Sequence, residues 1–356
     1  MYLAICKTEP ESMKTCVRHL LIEVGVIALL LSPTLLNGND RTALALHDGD
    51  VVAFVGGTDL VRMQKDGRVE AALTHRYRNA KPRFRDLAWD GDTVYLQSTV
   101  AERWRRQAFG DLKNQLKKVK ATVVIAQFGK IESLDGPDRL DEFTETYDKL
   151  IDQLSADGRR VVLLAPDPFG WTNVKNHAFE AYSLAVEKLA VRREIPFVRD
   201  LGGKVKPPPE LVDAVREKHR LWYEYWRPAN WKCLFGDDSR RVFSNASRDL
   251  PSFKQEWSTY PDLIERAEAR VFAGLPPVTR KPSKLTGSKD ADVRMEMQAF
   301  EVLNGFEINL FADESLGIAN PLSVHWDTRG NAYVACSDVY PQIEPGALPN
   351  DKIILL

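Results

Sequence analysis

Cysteine is scarce in this 356-residue chain: only Cys6, Cys16, Cys233 and Cys336 occur. They form no CxxC pair and no cysteine–histidine cluster, which argues against a zinc site. An excess of charge of either sign is also missing, since 49 Lys and Arg face 50 Asp and Glu for a formal net charge of −1. That balance gives no electrostatic case for a nucleic acid or an anionic membrane surface as partner. The pair Gly56-Gly57 follows an apolar run, but no third glycine comes at the spacing of a dinucleotide fingerprint. No cofactor and no metal are expected. Histidine is limited to His19, His47, His75, His177, His219 and His325. The residues three positions before them are Cys16, Leu44, Ala72, Val174, Arg216 and Leu322. None of these six residues is acidic.

What is present begins with a leader-like segment. Lys14 and Arg18 precede an apolar stretch from Leu20 to Leu36, and Ala43-Leu44-Ala45 offers the small-x-small pattern of a processing site. Glu9 and Glu11 are foreign to a basic n-region, which makes Met13 an alternative start. Residues 1–45 therefore read as a cleaved signal peptide, and the protein as exported to the periplasm or beyond. A membrane anchor is the alternative, against which Glu23 inside the stretch counts by a few kcal/mol. No stable membrane span is expected once the leader is removed.

From residue 48 onward short apolar runs alternate with helical patterns. Strands are expected at 51–55, 83–89, 121–129, 159–166 and 196–201. Helices are expected at 67–78, 99–119, 138–158 and 176–195. Five strands separated by helices predict an α/β fold with a doubly wound parallel sheet. Such sheets bind ligands at the carboxyl ends of their strands, which places Thr58, Asp90–Asp92, Gly129–Glu132 and Asp167 along one rim.

Asp90, Asp92, Glu132 and Asp167 could hold a divalent cation through oxygen ligands, or Asp92 and Asp167 could cap helices. The stretch 102–120 is basic with interleaved aromatics and reads as a solvated amphipathic helix rather than a nucleic-acid patch. Trp222, Tyr223, Tyr225, Trp226 and Trp231 stand at helical spacing, suited to packing on the sheet and alternatively to stacking on sugar rings.

The order of the stretches "FVGGTDLVRMQKDGRVEAALTHRYRNAKPRFRDLAWDGDTV", "IAQFGKIES" and "EKHRLWYEYWRPANWKCLF" resembles the SGNH (GDSL-type) hydrolases, in the form fused to larger secreted proteins of planctomycete-like bacteria. The resemblance covers roughly residues 48–235. It implies a flavodoxin-like sandwich and hydrolysis of ester or acetyl groups by a serine and a histidine base, with a glycine amide and an asparagine as oxyanion donors. Carried over by position, Thr58 stands at the nucleophile, Gly57 at the aspartate that precedes it, Gly91 at the oxyanion glycine and Ile131 at the oxyanion asparagine. Isoleucine has no donor, and loss of one such donor typically costs about 10²–10³ in rate. Threonine nucleophiles usually rely on a free N-terminal amine as base. His177 and His219 are the only histidines left within the segment after Gly91, and both read as surface or packing residues on helices.

Beyond Gly236 the composition becomes polar, with a helix expected at 260–274 and a linker at 275–292. "LSVHWDTRGNAYVACS" reads as two strands joined at Asp327–Gly330. It resembles the opening of the β-propeller of membrane-bound dehydrogenases, of which residues 293–356 would be a partial segment, and no dehydrogenase activity is expected of it. Two functions remain open: a weak or inactive hydrolase of acyl or acetyl esters on polysaccharides, and a non-catalytic carbohydrate-binding or spacer module ahead of a propeller. A hydrolase would require His177 or His219 within hydrogen-bond reach of Thr58.

Overall fold

The computed structural model describes residues 44–95, 100–170, 177–228, 231–240, 252–278, 293–337 and 343–356. Residues 1–43 of the leader expected at 1–45, and residues 279–292 of the linker expected at 275–292, lie outside them. Five parallel strands, β1 (Val51–Gly56), β2 (Arg83–Asp86), β3 (Val123–Gln127), β4 (Arg160–Leu164) and β5 (Phe197–Val198), form one sheet in the order β2-β1-β3-β4-β5. This is the doubly wound order of flavodoxin-like sheets. The register runs Val52 against Val123, Val123 against Arg160 and Leu163 against Phe197. β1 and β3 are apolar almost without interruption because both faces of the sheet are covered.

The two-residue period of the strands sorts their side chains into two cores. Ala53, Val55, Val124, Ala126 and Leu163 face Phe143, Tyr147, Ile151 and Leu154 of α5 (Leu140–Ser155) and Tyr182, Val186 and Leu189 of α6 (His177–Arg192). Val52, Phe54, Ile125, Val162 and Leu164 face Leu60 and Val61 of α1 (Thr58–Asp66) and Leu73 of α2 (Arg68–Arg76). α7 (Pro209–Trp226) buries Trp222, Tyr225 and Trp226 against the first core, where Phe109 stacks on Trp226 at 3.9 Å. The aromatic run therefore packs the helix rather than offering a platform, apart from Tyr223 and Trp231, which are half-buried.

Three local expectations change. α1, absent from the expected helices, begins directly after β1 with Thr58 as its first residue. The single helix expected over 99–119 is two, α3 (Val100–Phe109) and α4 (Leu112–Lys118). Gly110 at φ +80° breaks the helix, and Asp111 restarts it by accepting the Asn114 N–H at 2.9 Å. Asp92 and Asp167 cap no described helix, because neither immediately precedes one.

The chain before β1 belongs to the fold. Leu44 and Leu46 are buried in the second core, the Leu44 carbonyl accepts from the Tyr77 hydroxyl, and the Ala45 carbonyl accepts from Arg160 Nη1 at 2.8 Å. Processing after Ala45 would remove a core leucine. In protein that retains residues 44–45, Leu44→Ala is expected to lose about 2 kcal/mol, read as a lower urea midpoint at unchanged slope.

After α8 (Trp231–Phe235), α9 (Phe253–Trp257) opens with a capping box between Ser252 and Gln255. α10 (Tyr260–Ala273) packs on α7, and its buried Glu268 meets Arg85 of β2 at 2.7 Å. α11 (Val293–Ala299) precedes a second, antiparallel sheet of β6 (Pro321–Trp326), β7 (Ala332–Cys336) and β8 (Lys352–Leu355). The expected turn joins β6 to β7, with Asp327 Oδ1 accepting from the Arg329 and Asn331 amides. No helix among the described residues is long and apolar enough to cross a membrane.

Candidate functional site

In the order β2-β1-β3 the connections after β1 and β3 diverge, which opens a crevice beyond their carboxyl ends. A cleft of about 510 Å³ lies there, lined from the β1 side by Gly57, Thr58, Asp59 and Arg62. Gln127, Phe128, Lys130, Ile131, Glu132 and Leu134 line it from the β3 side, with Asp92, Pro166, Phe169 and Gly170 completing the wall. Thr58, Asp92, Ile131 and Glu132 are thus gathered at one rim.

Thr58 begins α1 at its unshielded N-terminal end, where Gly57 supplies no side-chain cap. Its hydroxyl oxygen accepts the Gly91 N–H at 3.0 Å. Gly91 adopts φ +77°, a left-handed conformation that glycine takes without steric cost, and this turns the amide toward Thr58. The two positions that the resemblance names as nucleophile and oxyanion glycine are therefore adjacent and bonded to each other. Gly57 lets this loop approach: a Cβ there would lie 2.8 Å from the Asp92 carbonyl oxygen.

The remaining polar groups of the cleft are largely engaged with the protein. Lys130 Nζ meets Asp59 Oδ1 at 2.9 Å, and Arg105 Nη1 meets Asp92 Oδ2 at 3.2 Å. The two carboxylate oxygens of Glu132 accept the Val94 and Gly129 amides, each at 2.8 Å, which ties the loop after β2 to the loop after β3. Burial raises the Glu132 carboxyl above the usual range, and the amide bonds offset only part of that. Asp90, Asp92, Glu132 and Asp167 do not converge, and among the described residues no three histidine, cysteine or acidic side chains gather to hold a metal. Ile131 lines the cleft at 37% exposure, with a hydrocarbon where the resemblance implies an amide.

No histidine with a described side chain lines the cleft. His219 is 5% exposed, with Nε2 lying 2.7 Å from Glu70 Oε2 in the packing of α2 against α7. Lys218, 1% exposed, also pairs with Glu70. His47, His75 and His325 are exposed, and none of them lines the cleft. The side chain of His177, at the start of α6, lies outside the described residues.

The sequence expectations do not include Arg62 or the pairing of Glu70 with Lys218 and His219, and they place Lys130 on the rim without its partner Asp59. A signal existed for the cluster, since Lys218 lies three residues after Val215 and four before Trp222, within an otherwise apolar stripe. Arg62 is four residues beyond Thr58, hence on the same face of α1.

Among solved structures the chain is similar to a gut microbial diltiazem-metabolizing enzyme, at 15% identity and a TM-score of 0.36 over 52% of this chain and 42% of that one. It is also similar to an acetylxylan esterase from Geobacillus stearothermophilus, at 17% identity and a TM-score of 0.33 over 67% of this chain and all of that one. A GDSL-like lipase from Bacteroides thetaiotaomicron shows 18% identity and a TM-score of 0.30 over 45% and 74% of the two chains. The chain thus spans less than half the length of the first of these. No curated protein matches it. Residues 292–356 match a family described as a domain of unknown function, DUF7133.

Proposed function

We propose that residues 46–235 are an SGNH-type hydrolase relative that no longer hydrolyses esters and keeps its cleft to bind a ligand, in an exported protein that acts on or near acylated polysaccharide. The observation that carries this reading is the environment of Thr58. Its hydroxyl is held by the Gly91 N–H, and none of the histidines with described side chains lines the cleft. A hydroxyl near its ordinary pKa without a base is a poor nucleophile. The amide that would stabilise an oxyanion already has the hydroxyl as acceptor, and Ile131 adds no second donor. Residues 293–356 fit a spacer or the opening of a larger β-structure, since Leu322, Val324 and Trp326 of β6 are each more than half exposed.

The purified protein is expected to hydrolyse p-nitrophenyl acetate and acetylated xylan no faster than its Thr58→Ala variant. A wild-type rate clearly above that of Thr58→Ala would overturn the reading, and a bell-shaped pH profile lost in a His177 variant would then identify the base.

A further inference from the structure

The chemistry of the cleft walls narrows the ligand class. A site for a polyol needs several unpaired donors and acceptors, because each sugar hydroxyl leaves water only if its hydrogen bonds are replaced. Here Asp59 and Lys130 pair with each other, Asp92 pairs with Arg105, Glu132 spends both oxygens on backbone amides, and Thr58 accepts from Gly91. Two apolar groups are open, Ile131 at 37% and Leu134 at 55% exposure, with the half-buried Phe169 beside them and the buried Phe128 and Pro166 forming the wall behind. One charged lining residue differs from the rest. Arg62 is exposed, and among the described residues no carboxylate or carbonyl partners its guanidinium. A planar guanidinium at the mouth of an apolar cleft is matched by a carboxylate that it can bind through two parallel hydrogen bonds.

We infer that the cleft binds an apolar monocarboxylate, with its carboxylate on Arg62 and its hydrocarbon along Phe128, Ile131, Leu134 and Phe169. This rests on the reading of the cleft as a ligand site and names what enters it. The hydrocarbon would lie where water meets the exposed Ile131 and Leu134, so binding gains from apolar burial without breaking the internal pairs.

Isothermal titration with sodium decanoate, decanol and xylotriose tests it. Saturable one-to-one binding of decanoate is expected, with no saturable binding of xylotriose. Arg62→Gln should weaken decanoate about tenfold while leaving decanol unchanged, because only the carboxylate uses the guanidinium. Leu134→Asp should weaken both decanoate and decanol. Both residues are exposed, so unchanged melting temperatures are expected to accompany these losses. Non-saturable decanoate binding, equal affinity in wild type and both variants, or displacement of decanoate by xylotriose would overturn the proposal. Ester hydrolysis in the same preparation reports separately: a Thr58-dependent esterase would remove the non-catalytic reading and leave the decanoate result standing.

Discussion

Lys218→Met is expected to destabilise the protein by about 3–5 kcal/mol, because it strips one partner from a fully buried ion pair. Lys218, Glu70 and His219 are 1%, 2% and 5% exposed, so water cannot solvate a carboxylate left without its ammonium. Burial by itself raises the Glu70 carboxyl, but the Lys218 ammonium and then His219 outweigh it and hold it down at about 2, from an ordinary 4.5. The folded value is thus below the unfolded one. The contribution is therefore complete above about pH 4.5 and is lost as the pH falls toward 2. Urea midpoints of wild type and Lys218→Met, followed from pH 7 to pH 2.5, should converge on the acid side. The double variant Glu70→Leu with Lys218→Met should recover most of the loss, since an apolar pair of similar volume removes the desolvation cost as well. A single variant as stable as wild type at neutral pH would show that the cluster is not carrying that charge.

The parts of this fold that were legible in the sequence are those where one signal dominates. Val51–Val55, Val123–Gln127 and Arg160–Leu164 are short, β-branched apolar runs bounded by glycine or proline, and no helix would bury them. The alternation of these runs with helices of 10–20 residues gave the sheet type, and the sheet type placed Thr58, Gly91, Gly129 and Asp167 on one rim. Helix ends were less legible. The reading of 99–119 as one helix followed its amphipathic period, and a single φ of +80° at Gly110 overrode it. α1 carries a weak signal, because only Leu60, Val61 and Gln64 mark the buried face of its nine residues.

In the cleft, the identities of the residues could be read, but not their pairing. That Lys130 neutralises Asp59 across 71 positions, or that Glu132 clamps the Val94 and Gly129 amides, depends on how two strand-end loops face each other. No local pattern encodes that. The absence of an acidic residue three positions before any histidine was legible, and it agrees with the burial of His219 against Glu70 instead of at the cleft.

Building in the nucleophile block that the resemblance implies should fail on steric grounds before chemistry is reached. The family resemblance asks for aspartate at 57 and serine at 58. Gly57 has φ −96°, ψ −156°, extended backbone open to any residue, so the obstacle is space alone. A Cβ at 57 would stand 2.8 Å from the carbonyl oxygen of Asp92, a backbone atom in the loop that also carries Gly91. That loop cannot yield freely, because Glu132 holds it through the Val94 amide and Arg105 holds the Asp92 side chain. Gly57→Ala is therefore expected to cost about 2–3 kcal/mol, as overpacking does at a site that cannot relax. Gly57→Asp should cost about 3–4 kcal/mol, since its carboxylate is also forced beside a carbonyl oxygen. Displacing the loop moves the Gly91 N–H off the hydroxyl at 58, so the protection of that amide against hydrogen exchange should fall in both variants. The double variant Gly57→Asp with Thr58→Ser should then be the least stable of the series and still hydrolyse p-nitrophenyl acetate no faster than Thr58→Ala. A double variant with wild-type stability would mean that the loop yields and that Gly57 is not what admits it. Gain of ester hydrolysis in that variant would mean that a base does reach position 58, which contradicts the non-catalytic reading directly.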